Sequence, residues 1–281
     1  MKTQTVDGAL REGAARLGSL PTARRDAELL LMRLLGVERA WMMAHPDAEL
    51  TAEQVERFEA RIARRARHEP VQYILGEQEF YGLAMKVTPA VLIPRPETEH
   101  LVEAVIAKVG RDAAVRICDV GTGSGAIAVA LAHELPRAQV TAVDVSRAAL
   151  DVAAENAQRH EVAERVRLVE SDLLSAVRGE RFDVMVSNPP YVAEGEVLEA
   201  QVREYEPHGA LFAGPTGLEV YRRLIPEAWE VLIPAGWLVM EMGHGQREAL
   251  RELLAGWDAV SFVGDLQGIP RVAIARRSGG E

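Results

Sequence analysis

Ser187-Asn188-Pro189-Pro190-Tyr191 gathers an amide, two prolines and a phenol directly behind the apolar run Phe182-Asp183-Val184-Met185-Val186. Consecutive prolines fix φ, remove two backbone NH donors and hold the residue before each of them extended. The carbonyls of Asn188 and Pro189 are thereby expected to point outward as acceptors. The Asn188 side-chain oxygen adds another, and Tyr191 offers a flat ring. Such a loop suits a planar NH2 group, which donates both hydrogens to it, stacks on the ring and presents the face of its nitrogen to an electrophile. A bare Pro-Pro reads as a turn closing a strand; flanked by Asn and Tyr after a strand, it reads as a reaction site.

A second loop carries a nucleotide signal. Asp119-Val120-Gly121-Thr122-Gly123-Ser124-Gly125 ends one apolar strand and opens a helix over residues 126–135. Glycines there let a ligand approach the backbone closely. Asp144 ends the next strand, roughly 20 positions after Gly123, where a carboxylate accepts hydrogen bonds from both ribose hydroxyls. An adenosine cofactor follows. Gly121-x-Gly123-x-x-Ala126 also satisfies the dinucleotide fingerprint, so the loop alone leaves the cofactor open. The acceptor loop at Asn188 resolves it, because hydride transfer has no use for a clamp on an NH2 group and methyl transfer from a sulfonium does. S-adenosylmethionine is the expected cofactor. Asp172, in Glu170-Ser171-Asp172-Leu173, either accepts from the adenine amino group or is an ordinary loop acid, and spacing does not separate the two.

The elements that must hold these loops alternate in type. Strands at 115–120, 140–144, 166–169, 182–187 and 237–242, with helical patterns between most of them, imply a parallel sheet covered on both faces. Segments 261–264 and 271–276 flank a turn-rich stretch and predict an antiparallel edge. Residues 1–68 read as helices only: Val6, Leu10, Ala14 and Leu17 share one face, and Leu30, Leu31, Leu34 and Leu35 make a stripe ending at Gly36. Thr51 with Gln54 predicts a capping box on a helix that turns Val55, Phe58 and Ile62 inward and leaves Arg57, Arg61, Arg64, Arg65 and Arg67 mostly outside. Between the two regions, residues 69–96 read as a hairpin linker, with β-type alternation over 80–87. Pro96 then starts a helix with Glu97 and Glu99 in its first turn. Arg95, set between two prolines, marks a turn expected to border the cofactor.

Composition limits the partners. The 281 residues hold 32 Lys plus Arg against 42 Asp plus Glu, a formal charge of −10, which disfavours standing attraction to nucleic acid or an anionic membrane. Cys118 is the single cysteine, so neither a disulfide framework nor a cysteine zinc site is expected, and no metal is called for. No signal-peptide core or membrane-length apolar run is present, and a soluble cytoplasmic protein is expected.

Asp119 to Gly125, Asp144, Asp172 and Asn188 to Tyr191 resemble the class I S-adenosylmethionine methyltransferases whose catalytic loop is Asn-Pro-Pro-Tyr. Pro70-Val71-Gln72-Tyr73-Ile74-Leu75-Gly76, Ile93-Pro94-Arg95-Pro96-Glu97-Thr98-Glu99, Tyr205-Glu206-Pro207 and Asp265-Leu266-Gln267-Gly268-Ile269-Pro270-Arg271-Val272 further resemble the HemK/PrmC family, the peptide chain release factor glutamine methyltransferases. The resemblance implies an α/β class I methyltransferase domain of mostly parallel sheet over 97–281, joined to a substrate-docking helical bundle over 1–68. It implies methylation of the Gln in the Gly-Gly-Gln motif of class 1 release factors. Gly121, Thr122, Gly123, Ser124 and Gly125 would form the cofactor loop, with Asp144 at the ribose and Asp172 and Leu173 at the adenine. Asn188 would touch both methyl donor and Gln, and Pro189, Pro190 and Tyr191 would complete the substrate pocket. Leu173 departs from the aromatic residue frequent at its position, and Gly214-Pro215-Thr216-Gly217 lacks a frequent acid. His208 and His244 are the nearest bases by motif context and are read as structural. An adenine-amino methyltransferase would use the same clamp on a flipped base, but the net charge argues against it. A ribosomal-protein glutamine methylase is the nearer alternative.

Overall fold

The computed structural model describes residues 4–18, 20–265 and 267–279. It divides into two compact units. One holds the residues up to Gly76 together with Glu199–Tyr205; the other holds Glu77–Leu198 and the chain from Glu206 onward. The division falls at Gly76, beyond the expected end of the bundle at 68.

In the first unit, β1 (Gln4–Thr5), α1 (Val6–Arg16), α2 (Ala23–Leu35), α3 (Arg39–Ala44), β2 (Glu49–Leu50), α4 (Ala52–Arg65) and α5 (Val71–Leu75) follow one another. β1 and β2 pair antiparallel, a contact absent from the helices-only expectation because two-residue strands leave no periodicity to read. Val6, Leu10, Leu17, Leu30, Leu31, Phe58 and Ile62 share one core, with Ala14, Leu34, Leu35 and Val55 packed at its margin. The capping box forms: Thr51 Oγ1 accepts from the Gln54 amide at 3.2 Å, and Gln54 Oε1 accepts from the Thr51 amide at 2.8 Å. One arginine departs from expectation. Arg65 is buried rather than outside, because it follows Ile62 by one helical step on the same face. Asp26 meets it there, with Nε to Oδ2 at 2.7 Å.

The second unit opens with the hairpin β3 (Glu77–Phe80) and β4 (Leu83–Lys86), joined through Tyr81 and Gly82 at φ 52 and 74. Positive φ at both turn residues is the geometry whose twist matches paired strands, and it splits the run read as one alternating stretch. After a 3-10 turn at Pro96–Thr98 come α6 (Glu99–Val109), β5 (Arg116–Val120), α7 (Ala126–Glu134), β6 (Gln139–Asp144), α8 (Arg147–Arg159), β7 (Val166–Glu170) and β8 (Phe182–Ser187). Then follow α9 (Ala200–Tyr205), which belongs to the first unit, α10 (His208–Leu211), α11 (Glu219–Val231), β9 (Leu232–Glu241), α12 (Arg247–Leu253), β10 (Asp258–Gly264) and β11 (Pro270–Arg276).

The sheet order is β10-β11-β9-β8-β5-β6-β7. β7, β6, β5, β8 and β9 run parallel, and β11 and β10 return antiparallel as the expected edge. Leu266, in the turn between them, lies outside the described residues. β9 begins at Leu232, earlier than the expected 237; residues between Leu232 and Trp237, with Pro234 and Gly236 among them, bulge out and pairing resumes at Val184 with Trp237. Alternation places Ile117, Val140, Val184, Val186 and Val239 in one core with α6 and α7. Cys118, Val120, Val143, Met185, Leu238 and Met240 lie in the other with α11 and α12. β5 has β6 on one side and β8 on the other, so the chain reverses its direction of travel there. In open α/β sheets ligands bind at that point, outside the carboxyl ends of the strands.

Candidate active site

The loops after β5, β6 and β8 and the chain after β7 meet around a cavity of about 300 Å³. Gly121, Gly123, Asp144, Asp172, Leu173, Asn188 and Pro190 line it, together with Val91, Leu92, Val145, Ala149, Pro207, Ala210, Val220 and Arg223. Of the predicted site residues, Thr122, Ser124, Gly125, Pro189 and Tyr191 are not in the lining. Three of them, in the glycine loop, have contacts behind the lining. Thr122 Oγ1 donates to Asp119 Oδ2 at 2.6 Å, and the Ser124 carbonyl accepts from Asn156 Nδ2 at 2.8 Å. Gly125 sits at φ 79 with Ala153 so close that a Cβ would come within 3.0 Å of it. That contact fixes how tightly α7 and α8 approach behind the loop.

Asp144 is held from two sides. Its Oδ2 accepts from the Gly123 amide at 2.9 Å and its Oδ1 from the Ser146 amide at 2.8 Å. Each carboxylate oxygen keeps a lone pair for a further donor, and the group faces the cavity. Asp172 is engaged otherwise: Arg223 Nη2 reaches both of its oxygens, at 2.8 and 2.7 Å. Leu173 beside it carries φ 48, an unusual backbone for a leucine. Arg95 is not in the lining. Its guanidinium pairs with the buried Glu206, which also accepts from the Ile93 amide at 3.1 Å.

Asp119, which the sequence reading left without a role of its own, is wholly buried. Burial pushes its carboxyl up to about 7 against the Thr122 hydrogen bond. Its Oδ1 has no hydrogen-bond partner among the described residues. A buried oxygen left bare beside the glycine loop is a place for an external donor, and an ammonium is the strongest one. The donor and acceptor set therefore fits S-adenosylmethionine: Asp119 for its ammonium, the Gly121 and Gly123 backbone for close approach, Asp144 for ribose hydroxyls. When bound, that cofactor supplies a methyl group on a positively charged sulfur.

Asn188, also in the lining, donates through Nδ2 to Thr98 Oγ1 at 3.1 Å, and Thr98 Oγ1 donates to Glu241 Oε2 at 2.6 Å. Among the described residues no donor reaches Asn188 Oδ1, so the amide oxygen is the free end. Tyr191 Oη donates to Glu241 Oε1 at 3.3 Å, and burial, then the Glu241 charge, hold this phenol above its usual range. Burial pushes Glu241 up to about 7, against the hydrogen bonds from Thr98 and Tyr191. Beyond Tyr191 the loop is pinned by Gln246, whose Nε2 donates to the Tyr191 and Gly217 carbonyls at 3.0 and 3.2 Å. A Cβ at Gly217 would fall 2.4 Å from the Tyr191 carbonyl oxygen. This glycine, without an assigned part in the sequence reading, is what lets the two segments meet.

Comparisons with known proteins identify the family. The family model described as the PrmC N-terminal domain matches residues 8–76, and the one described as the methyltransferase small domain matches 97–205. A protein of Koribacter versatilis named release factor glutamine methyltransferase is 48% identical over 277 residues, 98% of each chain. The chain belongs to the release factor glutamine methyltransferase family. A Geobacter sulfurreducens protein of the same name is 45% identical over 258 residues, 90% of this chain and 89% of its own. Among solved structures, the T. thermophilus 16S rRNA N2 methyltransferase in complex with AdoMet and guanosine superposes with a TM-score of 0.55 at 19% identity, over 72% of this chain and 49% of its own. Human methyltransferase 10 domain containing protein does so at 0.52 and 21%, over 70% and 90%. At such identities these two speak for the fold of a release factor glutamine methyltransferase and for nothing more. No helix among the described residues of this family member is long and apolar enough to cross a membrane.

Sequence reasoning missed Thr98 and Glu241 as partners of Asn188. Both lay within or beside runs with visible features, Thr98 in the Pro96 turn and Glu241 in an apolar strand where an acid is out of place. That misplaced acid was the available signal.

Proposed function

We propose that this chain transfers a methyl group from S-adenosylmethionine to the side-chain amide nitrogen of the glutamine in the Gly-Gly-Gln motif of class 1 peptide chain release factors. The observation that carries the reading is the Asn188 amide, tied by its nitrogen to Thr98 with its oxygen left free beside the cavity. In the proposed site Gly121 to Gly125, Asp144, Asp172 and Leu173 bind the cofactor, and Asn188, Pro189, Pro190 and Tyr191 receive the glutamine.

A glutamine amide nitrogen is a poor nucleophile, because its lone pair is delocalised into the carbonyl. The chain's task is to orient it. Asn188 Oδ1 accepts one of its hydrogens and the carbonyl of Pro189 the other, which raises electron density on nitrogen and turns its face toward the cofactor end of the cavity. No general base is required. The product amide is very acidic while it keeps its extra proton and releases it to water or to the same acceptors. Glycines beside the target glutamine remove bulk and let that backbone enter a narrow pocket. The helical first unit adds contacts with the folded factor, so an isolated peptide is a much poorer substrate. The enzyme works in the cytoplasm and forms no stable complex with nucleic acid.

Labelled methyl transfer to purified release factor, to its Gln→Ala variant and to an adenine-containing oligonucleotide tests this. Label in the factor alone supports the assignment; equal label in factor and variant, or label only in the oligonucleotide, removes it. The cofactor end has its own test. Hydrogen bonds to a charged group contribute about 1.5 to 3 kcal/mol, so Asp144→Ala is expected to weaken S-adenosylmethionine binding roughly tenfold to a hundredfold by calorimetry. Unchanged affinity in a folded variant takes Asp144 out of the site.

A further inference from the structure

The Asn188 amide is aimed from behind: we propose that Glu241, acting through Thr98, is the positioning residue that fixes which end of this amide faces the substrate. The inference rests on the reading of Asn188 Oδ1 as the acceptor for the substrate NH2. A threonine hydroxyl has one hydrogen. At Thr98 that hydrogen is committed to Glu241 Oε2 at 2.6 Å, so at its 3.1 Å contact with Asn188 the same oxygen only accepts. The amide must therefore present its nitrogen to Thr98 and its oxygen to the cavity. The reverse orientation would set two acceptors against each other and turn an NH2 toward the incoming NH2.

An ionised Glu241 cannot donate, which gives the chain Asn188 to Thr98 to Glu241 a single direction. Thr98 and Glu241 are 4% and 3% exposed, so bulk water does not compete with the chain at either of them. The second Glu241 oxygen takes the Tyr191 hydroxyl at 3.3 Å, and its backbone carbonyl takes Tyr221 Oη at 2.8 Å. One carboxylate thus braces both side chains of the acceptor loop. The charged groups around it oppose each other: Glu97 disfavours its ionisation and Arg271 favours it, while burial outweighs both and sets its titration near 7. Once protonated, Glu241 can donate to Thr98. The threonine hydrogen is then free to turn to Asn188, and the amide can flip. Turnover is expected to fall as pH drops below about 7.

Thr98→Val removes both hydrogen bonds at nearly constant volume, and Thr98→Ser restores them. The valine variant is expected to stay folded with a lowered melting temperature, to keep its S-adenosylmethionine affinity and to lose kcat about tenfold or more, and the serine variant to recover most of it. Glu241→Gln keeps an acceptor for Thr98 but cannot titrate, so its kcat should lack the acid limb seen in the wild type. A folded valine variant with wild-type kcat, a serine variant no better than valine, or a glutamine variant with the wild-type acid limb overturns the proposal. Asn188→Ala measured in parallel separates the two levels. If it keeps full turnover, the acceptor reading fails; if it loses turnover while Thr98→Val does not, only the positioning chain fails.

Discussion

Asn188→Ala is expected to lose kcat by roughly 100-fold to 1000-fold while S-adenosylmethionine affinity changes far less, the pattern for an interaction made mainly in the transition state. The alanine removes the free amide oxygen and leaves Thr98 without its donor, so the substrate amide gains rotational freedom in the direction that matters. Asn188→Asp is the more discriminating variant. It keeps an acceptor toward the cavity, but its other oxygen now meets Thr98 Oγ1, whose hydrogen already goes to Glu241. Partial activity in aspartate with almost none in alanine supports a clamp made of acceptors. Equal rates for wild type and both variants would mean that the side chain at 188 holds nothing that reacts.

Asp26→Ala is expected to destabilise the first unit by about 3 to 5 kcal/mol, because it strands the Arg65 guanidinium in an apolar interior. Arg65 is buried with Nε 2.7 Å from Asp26 Oδ2, and its Nη1 reaches the Glu69 carbonyl at 3.1 Å. Asp26 also accepts from the Thr22 hydroxyl at 2.8 Å. The double replacement Asp26→Leu with Arg65→Met removes both charges together and should recover much of the loss, since the cost lies in an unpaired charge rather than in a missing attraction. Urea unfolding followed by helix signal measures both. A single variant as stable as the wild type would show that water reaches Arg65.

What was legible in the sequence was whatever chemistry lies contiguous along the chain. The glycine loop and the Asn188 loop each carry their constraint within a few residues, and strand alternation fixed where their ends would meet. Asp144 could be placed because a strand end at that spacing has a known neighbour. Thr98 and Glu241 could not, since they stand 90 and 53 residues from Asn188 and its loop in a chain that only the sheet brings together. Asp172 stood between two readings, an adenine contact and a loop acid; it lines the cavity, and Arg223 on α11 reaches both of its oxygens. Arg65 is the buried exception in a row of arginines expected to lie mostly outside. Its position on the helix, one step from Ile62, carried the correct answer.

The helix at Ala200–Tyr205 belongs to the unit formed by the first part of the chain, and Tyr205 Oη donates to the Arg67 carbonyl at 2.6 Å. The polypeptide therefore passes from one unit to the other at Gly76, at Leu198 and at Tyr205. A single crossover between two homologous genes cannot exchange one unit intact. A hybrid joined near residue 76 would set a foreign helix against the native bundle, and a fragment beginning at Glu77 would carry six residues whose partners were left behind. Recombination in this chain is constrained to inherit α9 with the amino-terminal helices, and a designer exchanging the first unit has to replace two separate stretches of coding sequence.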